Sequence, residues 1–278
     1  MFTHLHVHSN FTFMSGAATV EDLAERAGEL GMKALALTDR NGLYGAIPFY
    51  KAARERDLQP ILGVELDDPR DPRTRAVLLA ENRRGFSRIC RLITRRKLRE
   101  GFRLAGALKE IPGDVIVLAP DPALLEELSA SLDGGRLYGE LTPGAGEEGR
   151  GRIKRLAETA RRRNVPLVAT ADAYLVRAAD HPLHRLLRAI GTNRTLFSLD
   201  GEEQAGPGNF LAAEDRMRRR WKEFPRALKN TEVIRERCRL DLQLGRYRFP
   251  GFPLPPGETP FSYCGRSPSG GSSAATAP

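Results

Sequence analysis

Residues 33–66, KALALTDRNGLYGAIPFYKAARERDLQPILGVEL, spell out one strand–helix–strand unit. KALALT (33–38) and PILGVEL (60–66) are short, nearly continuous apolar runs, the pattern of strands buried on both faces. Residues 45–56 between them have helical spacing. Pro48 lies near the start of that helix, where a missing N–H costs little, and Pro60 stops the helix from running on. Such units build a parallel sheet covered by helices.

The same alternation runs through the first 175 residues. Further strands are expected at FTHLHV (2–7), RAVLLA (75–80), VIVLA (115–119), RLYGEL (136–141) and PLVAT (166–170). Helices are expected at 19–30, 83–99, 121–131 and 149–164. The first of these opens on Thr19 as cap, carries Asp22 three positions on and ends before Gly31. Seven strand–helix units predict an α/β fold closed, or nearly closed, as a β/α barrel. In such barrels chemistry gathers at the C-terminal ends of the strands. That rule singles out His6 and His8, Thr38-Asp39-Arg40, Glu65, the segment after Ala119, and Asp172. His4, His6 and His8 alternate along one strand, which predicts three imidazoles on one face and the beginning of a metal site.

The character changes after Asp172. Residues 180–191 and 210–240 read as basic helices. RYRFPGFPLPPGETPFSY (246–263) reads as a stiff Pro-rich linker, and CGRSPSGGSSAATAP (264–278) as a disordered tail. The expected division is a barrel at 1–200, a basic helical extension at 201–245, and linker plus tail at 246–278.

The 278 residues carry a net charge of +9. Basic clusters fall at Arg83-Arg84, Arg95-Arg96-Lys97, Arg161-Arg162-Arg163 and RMRRRWK (216–222). A basic surface favours phosphate-bearing partners such as DNA. Arg218, Arg219, Arg220 and Trp221 are the residues expected to contact nucleic acid or a partner module. Solvated helix faces and a packed Trp are the plain alternative. No apolar run approaches the roughly 18 residues of a membrane span. No signal peptide opens the chain, and three scattered cysteines form no disulfide framework, so a cytoplasmic protein without a membrane partner is expected.

Several ordered stretches resemble one family. They are HLHVHS (4–9), LGMKALALTDRNGLYGA (30–46), PILGVEL (60–66), LLAENRRGFSRICRLIT (78–94) and LVATADAYLVRAADHPLHRLL (167–187). They resemble the PHP domain that begins bacterial C-family DNA polymerases, the DNA polymerase III alpha subunits, with the error-prone branch nearest. LKNTEVIRERCRLDL (228–242) and residues 246–263 resemble the passage from that domain towards the polymerase palm. The resemblance implies a distorted seven-unit β/α barrel of PHP type. In active members it also implies three metal ions held by a ring of His, Asp, Glu and Cys, which activate water against a phosphate ester.

Of that ring the chain matches His6, His8, Glu65 and Asp172. It departs at Ser15, Arg40, Arg75, the Pro120-Asp121 position and Tyr174. Arginine offers no lone pair to a metal. Arg40 and Arg75, with Tyr174, are therefore expected to plug the pocket and pair with Glu65 and Asp172, leaving no metal. The alternative is one zinc or manganese ion on His6, His8 and a carboxylate. His4, His181 and His184 are expected to be structural, and Cys90 a core residue. Asp39 is expected either to orient a pocket histidine or to cap the next turn.

The expected role is a structural PHP domain of an error-prone, alpha-type polymerase in replication or repair synthesis, docked to a polymerase module or other replication proteins. A metal-dependent phosphoesterase or 3′–5′ exonuclease acting at His6, His8, Glu65 and Asp172 is the enzymatic alternative. A nucleic-acid-binding module is the third. Nothing after Tyr263 resembles a polymerase palm, which fits a frameshifted fragment, a split polymerase or a stand-alone protein.

Overall fold

The structure, a computed structural model, describes residues 2–132, 135–144, 146–199, 204–246 and 253–266. It divides into two compact units, Met1–Asp241 and Leu242–Pro278. The first unit contains a six-stranded sheet: β1 (Ala34–Leu37), β2 (Gln59–Asp68), β3 (Asp71–Ala80), β4 (Val115–Ala119), β5 (Leu137–Leu141) and β6 (Leu167–Ala169), in that spatial order. Its described helices are α1 (Val20–Glu29), α2 (Ala46–Arg54), α3 (Arg83–Leu98), α4 (Leu104–Lys109), α5 (Pro122–Ser129), α6 (Gly146–Arg162), α7 (His181–Thr192), α8 (Glu214–Arg220) and α9 (Pro225–Arg237). In the second unit α10 spans Pro260–Arg266. Residues 267–278 of the tail expected to be disordered lie outside the described residues, whereas Cys264–Arg266 belong to α10.

The sheet is mixed, which corrects the expectation of an all-parallel one. β1–β2, β4–β5 and β5–β6 are parallel, but β3 runs antiparallel to both β2 and β4. The cause is local. Only Pro69 and Arg70 separate β2 from β3, enough for a hairpin and far too few for a crossover.

The seventh expected strand, 2–7, forms isolated bridges instead of a ladder. His4 pairs with Leu35, and Val7 with Ala173, both in parallel sense. Its backbone still bonds on both sides: Ala36 N–H donates to His4 C=O, while His8 N–H donates to Ala173 C=O. The segment therefore runs between β1 and the chain that follows β6, carrying His6 and His8 with it.

Local sequence sets the elements around this frame. Thr19 caps α1 in the expected reciprocal way, accepting from Asp22 N–H while the Asp22 carboxylate accepts from Thr19 N–H. Gly31, at φ +66°, follows the helix. Beside the N-terminal segment, a Cβ on Gly16 would sit 1.8 Å from Ser9 C=O, so only glycine fits there.

The core joins Leu5, Ala36, Ile61, Val77, Ile116 and Val168 with Ile234 and Cys238 from the end of α9. Thr231 of α9 accepts from Thr3 N–H, and the Gln59 side-chain amide donates to Arg235 C=O and Cys238 C=O. The basic helices α8 and α9 thus belong to the same compact unit as the sheet. Among the described residues no helix is long and apolar enough to cross a membrane.

Candidate metal centre

His6 and His8 lie on the N-terminal segment, Arg40 just past β1, Glu65 on β2, Arg75 on β3, and Asp172 and Tyr174 just past β6. The fold brings all seven to one buried pocket. Arg40 bridges the Glu65 backbone, which places the two side chains together. Asp172 has φ +46°, and the side-chain amide of Asn209 donates to the carbonyls of Ala171 and Asp172, holding the loop.

One ligand atom from each of His6, His8, Glu65 and Asp172 lies within 4.8 Å of every other. His6 Nε2 is 3.0 Å from His8 Nε2, 3.2 Å from Glu65 Oε2 and 3.4 Å from Asp172 Oδ1. His8 Nε2 is 3.3 Å from Asp172 Oδ1.

The other ring nitrogens fix the tautomers. His6 Nδ1 lies 2.8 Å from Glu140 Oε1, an acceptor, so Nδ1 carries the proton. His8 Nδ1 lies 3.1 Å from Thr12 Oγ1. That hydroxyl already donates to Asp39 Oδ1 at 2.8 Å, so it accepts from His8. Both Nε2 atoms then face the two carboxylates. Glu65 Oε2 and Asp172 Oδ1 are buried without a hydrogen-bond donor. Arg40 and Arg75 pair with the two carboxylates from outside, so the position left to fill is the one between them and His6 Nε2, by a proton or by a metal ion. Two imidazoles and two carboxylates are the donor set of a zinc or manganese site, so the residues present fit one such ion.

Around this point stand the arginines. Arg40 Nε donates to Glu65 Oε1 at 2.5 Å, and its Nη2 donates to the Tyr174 hydroxyl at 2.9 Å. Arg75 lies 3.4 Å from Glu65 and 3.6 Å from Asp172. The Tyr174 ring stacks on His8 with centroids 4.1 Å apart.

The electrostatics follow. Burial would raise the Glu65 pKa, but Arg40 and Arg75 hold it well below the usual carboxylate range. Burial acts the same way on Asp172, and the neighbouring His6, His8 and Arg75 overcome it. For His6 burial alone would lower the pKa, yet the Glu140 and Asp172 charges raise it well above the usual value. His8 shifts down, chiefly by burial. A metal ion bound at His6 Nε2 would therefore have to displace a proton.

Glu140 is the site residue that sequence reasoning missed. It is buried at mid-strand in β5, accepting from the Thr170 hydroxyl at 2.7 Å as well as from His6. The readable signal is a carboxylate inside a strand buried along its whole length. Asp39 reaches His8 through Thr12 and also accepts from Ser9 N–H and the Ser9 hydroxyl, each at 2.7 Å.

The other expected positions lie elsewhere. His4 departs from the one-face expectation: its Nε2 donates to Ala212 C=O at 2.9 Å, away from the cluster. Ser15 accepts from Arg188, and Asp121 caps α5. His184 is fixed by Ser15 C=O and Ala205 N–H, and His181 by Ala205 C=O. Arg218 and Arg219 pair with Glu214 and Asp215 one turn back, whereas Trp221 is buried.

Residues 4–141 match the PHP domain family, and the chain carries a PHP domain. More particularly, that domain is homologous to the N-terminal part of bacterial DNA polymerase III alpha subunits and error-prone DNA polymerases. The chain is 32% identical over 285 residues to DNA polymerase III subunit alpha of Bacillus subtilis (strain 168), covering 94% of this chain and 25% of that one. It is 33% identical over 309 residues to the error-prone DNA polymerase of Symbiobacterium thermophilum, covering 94% and 27%. The chain thus spans about a quarter of the length of these relatives. Among solved structures, it is similar to an amidohydrolase from Chromobacterium violaceum, at 17% identity and a TM-score of 0.43, covering 62% of this chain and 87% of that one.

Proposed function

We propose that this chain is the PHP part of an alpha-type, error-prone DNA polymerase, acting in the cytoplasm during replication or repair synthesis. Its role is to scaffold a polymerase module, and its pocket holds one divalent ion in a structural capacity. The observation that carries this reading is the buried convergence of His6, His8, Glu65 and Asp172 on one point, where Glu65 Oε2 and Asp172 Oδ1 have no hydrogen-bond partner. A zinc or manganese ion there would take the place of the proton on His6 Nε2 and satisfy Glu65 Oε2 and Asp172 Oδ1.

Glu140 and Thr12 would keep both imidazoles in the ligating tautomer, as outer partners of metal-bound histidines do. Arg40 and Arg75 set the limit to one ion. A multi-ion hydrolytic centre needs further lone pairs, and guanidinium groups offer none. They also neutralise the carboxylates that a second ion would use.

The rival reading is a metal-dependent phosphoesterase or 3′–5′ exonuclease at the same four ligands. Incubating the chain with a chromogenic phosphate diester and an end-labelled primer, with manganese in excess, separates the two. The scaffold reading expects turnover equal to that of His8→Ala. Turnover that His8→Ala abolishes favours the hydrolase instead.

A further inference from the structure

The sequence holds two arginine triplets, 161–163 and 218–220, and the structure disposes of four of these six side chains. Arg162 and Arg163 pair with Glu126 of α5. Arg218 and Arg219 pair with Glu214 and Asp215 within α8. One arginine is left over from each triplet, Arg161 and Arg220, and both line the same groove, of about 520 Å³, where α6 meets the end of α8 and the start of α9.

Arg150 and Lys154 of α6 join them there, with Trp221 and Phe224. Among the described residues no carboxylate lies within ion-pair distance of Arg150, Lys154, Arg161 or Arg220. The groove's own acids, Glu158 and Glu223, number two against four cations. Among the described residues Arg220 donates only to Gly208 C=O, and the buried indole N–H of Trp221 has no acceptor. The groove is oversupplied with donors.

We infer that this groove binds the phosphodiester backbone of a nucleic acid. Arg150, Lys154 and Arg161 lie four and seven residues apart on one helix, about 6 Å and about 10.5 Å of axial rise. Along a duplex axis the phosphates of one strand recur about every 3.4 Å, so a helix laid along that axis sets these cations about two and three phosphates apart. Guanidinium forks match phosphate oxygens. A regularly charged polymer suits this spacing better than an acidic peptide, and the net charge of +9 draws it in from a distance. The site is separate from the metal pocket and stands without it.

Trp221 is the chain's one tryptophan, so its emission reports this groove alone. The test uses the full chain with a fluorescein-labelled 20-nucleotide single strand and the corresponding duplex, read by anisotropy and by Trp221 emission in a salt series. Binding of either form, with a shift in Trp221 emission, is expected. Arg150→Ala/Lys154→Ala/Arg161→Ala should weaken binding at least about tenfold at low salt and reduce the log–log salt slope by about 3. Arg161→Gln alone should cost a few-fold, which covers the case in which the triple variant folds poorly. Arg218→Ala/Arg219→Ala, paired outside the groove, should stay within about twofold of the parent chain. Binding of neither form, equal losses in both multiple variants, or displacement by polyglutamate at matched charge would each overturn the assignment.

Discussion

The pocket around His6 and the groove beside Trp221 are unbalanced in opposite senses. The pocket is buried and rich in carboxylate: Glu65 Oε2 and Asp172 Oδ1 face His6 and His8 without a hydrogen-bond partner, and Glu140 lies behind His6. The groove is open and oversupplied with donors. Burial decides how each imbalance is met. A buried excess of negative charge must be answered inside the fold, by Arg40, Arg75 and a proton or, as proposed, a metal ion at His6. Exposed cations are solvated and can wait for a partner, which makes the groove a place of association.

That contrast is most exposed to failure at Arg40. Arg40→Met strips Glu65 of its nearest counter-charge in a buried setting and should destabilise the chain by about 3–5 kcal/mol in urea unfolding. A loss below about 1 kcal/mol would mean that the pocket does not depend on internal pairing.

His4 sharpens the comparison as a buried histidine that holds no charge. Burial pushes its pKa down to about 4, and its Nδ1 has no partner. Its contribution is fully present above about pH 6.5, where folded and unfolded rings are both neutral. It is lost as pH falls from about 6.5 to about 4, because the unfolded ring binds the proton first, and it totals about 3 kcal/mol. His4→Gln should flatten the stability profile in that window, measured by urea midpoints at successive pH values. An unchanged profile would contradict the neutral assignment.

The smallest effect belongs to the exposed pair in α8. Arg218→Ala removes the Glu214 partner one turn away and should change stability by less than about 0.5 kcal/mol in the same unfolding assay. A larger cost would show that surface ion pairs matter here as buried ones do, and the distinction between the two regions would weaken.

Much of this was legible in the residues. Thr19, Asp22 and Gly31 announced α1 with its cap and stop, and six of the seven apolar runs became strands. The antiparallel course of β3 was also written in the sequence. DDPRDPR (67–73), with two prolines and no apolar residue, leaves too little chain between the two apolar runs for a helical crossover, and it declares a hairpin. His6, His8, Glu65 and Asp172 were accessible as residues at strand ends. Their unsatisfied oxygens were not, because a lone pair without a donor is a fact of three-dimensional packing.

Glu140 stood 134 positions from His6, with no local motif to join them. The pairing inside α8 follows from i,i+4 spacing and was readable. The capture of Arg162 and Arg163 by Glu126, 36 and 37 positions away, was not. Only the fold reveals that Arg161 and Arg220 are the two left over.

The most direct test of the single-ion pocket is elemental analysis of the purified chain after equilibration with zinc or manganese and removal of unbound metal. The account predicts one ion per chain, lost in Asp172→Asn and retained in the groove variant Arg150→Ala/Lys154→Ala/Arg161→Ala. A chain that holds no ion, or one that holds two or three, would contradict it.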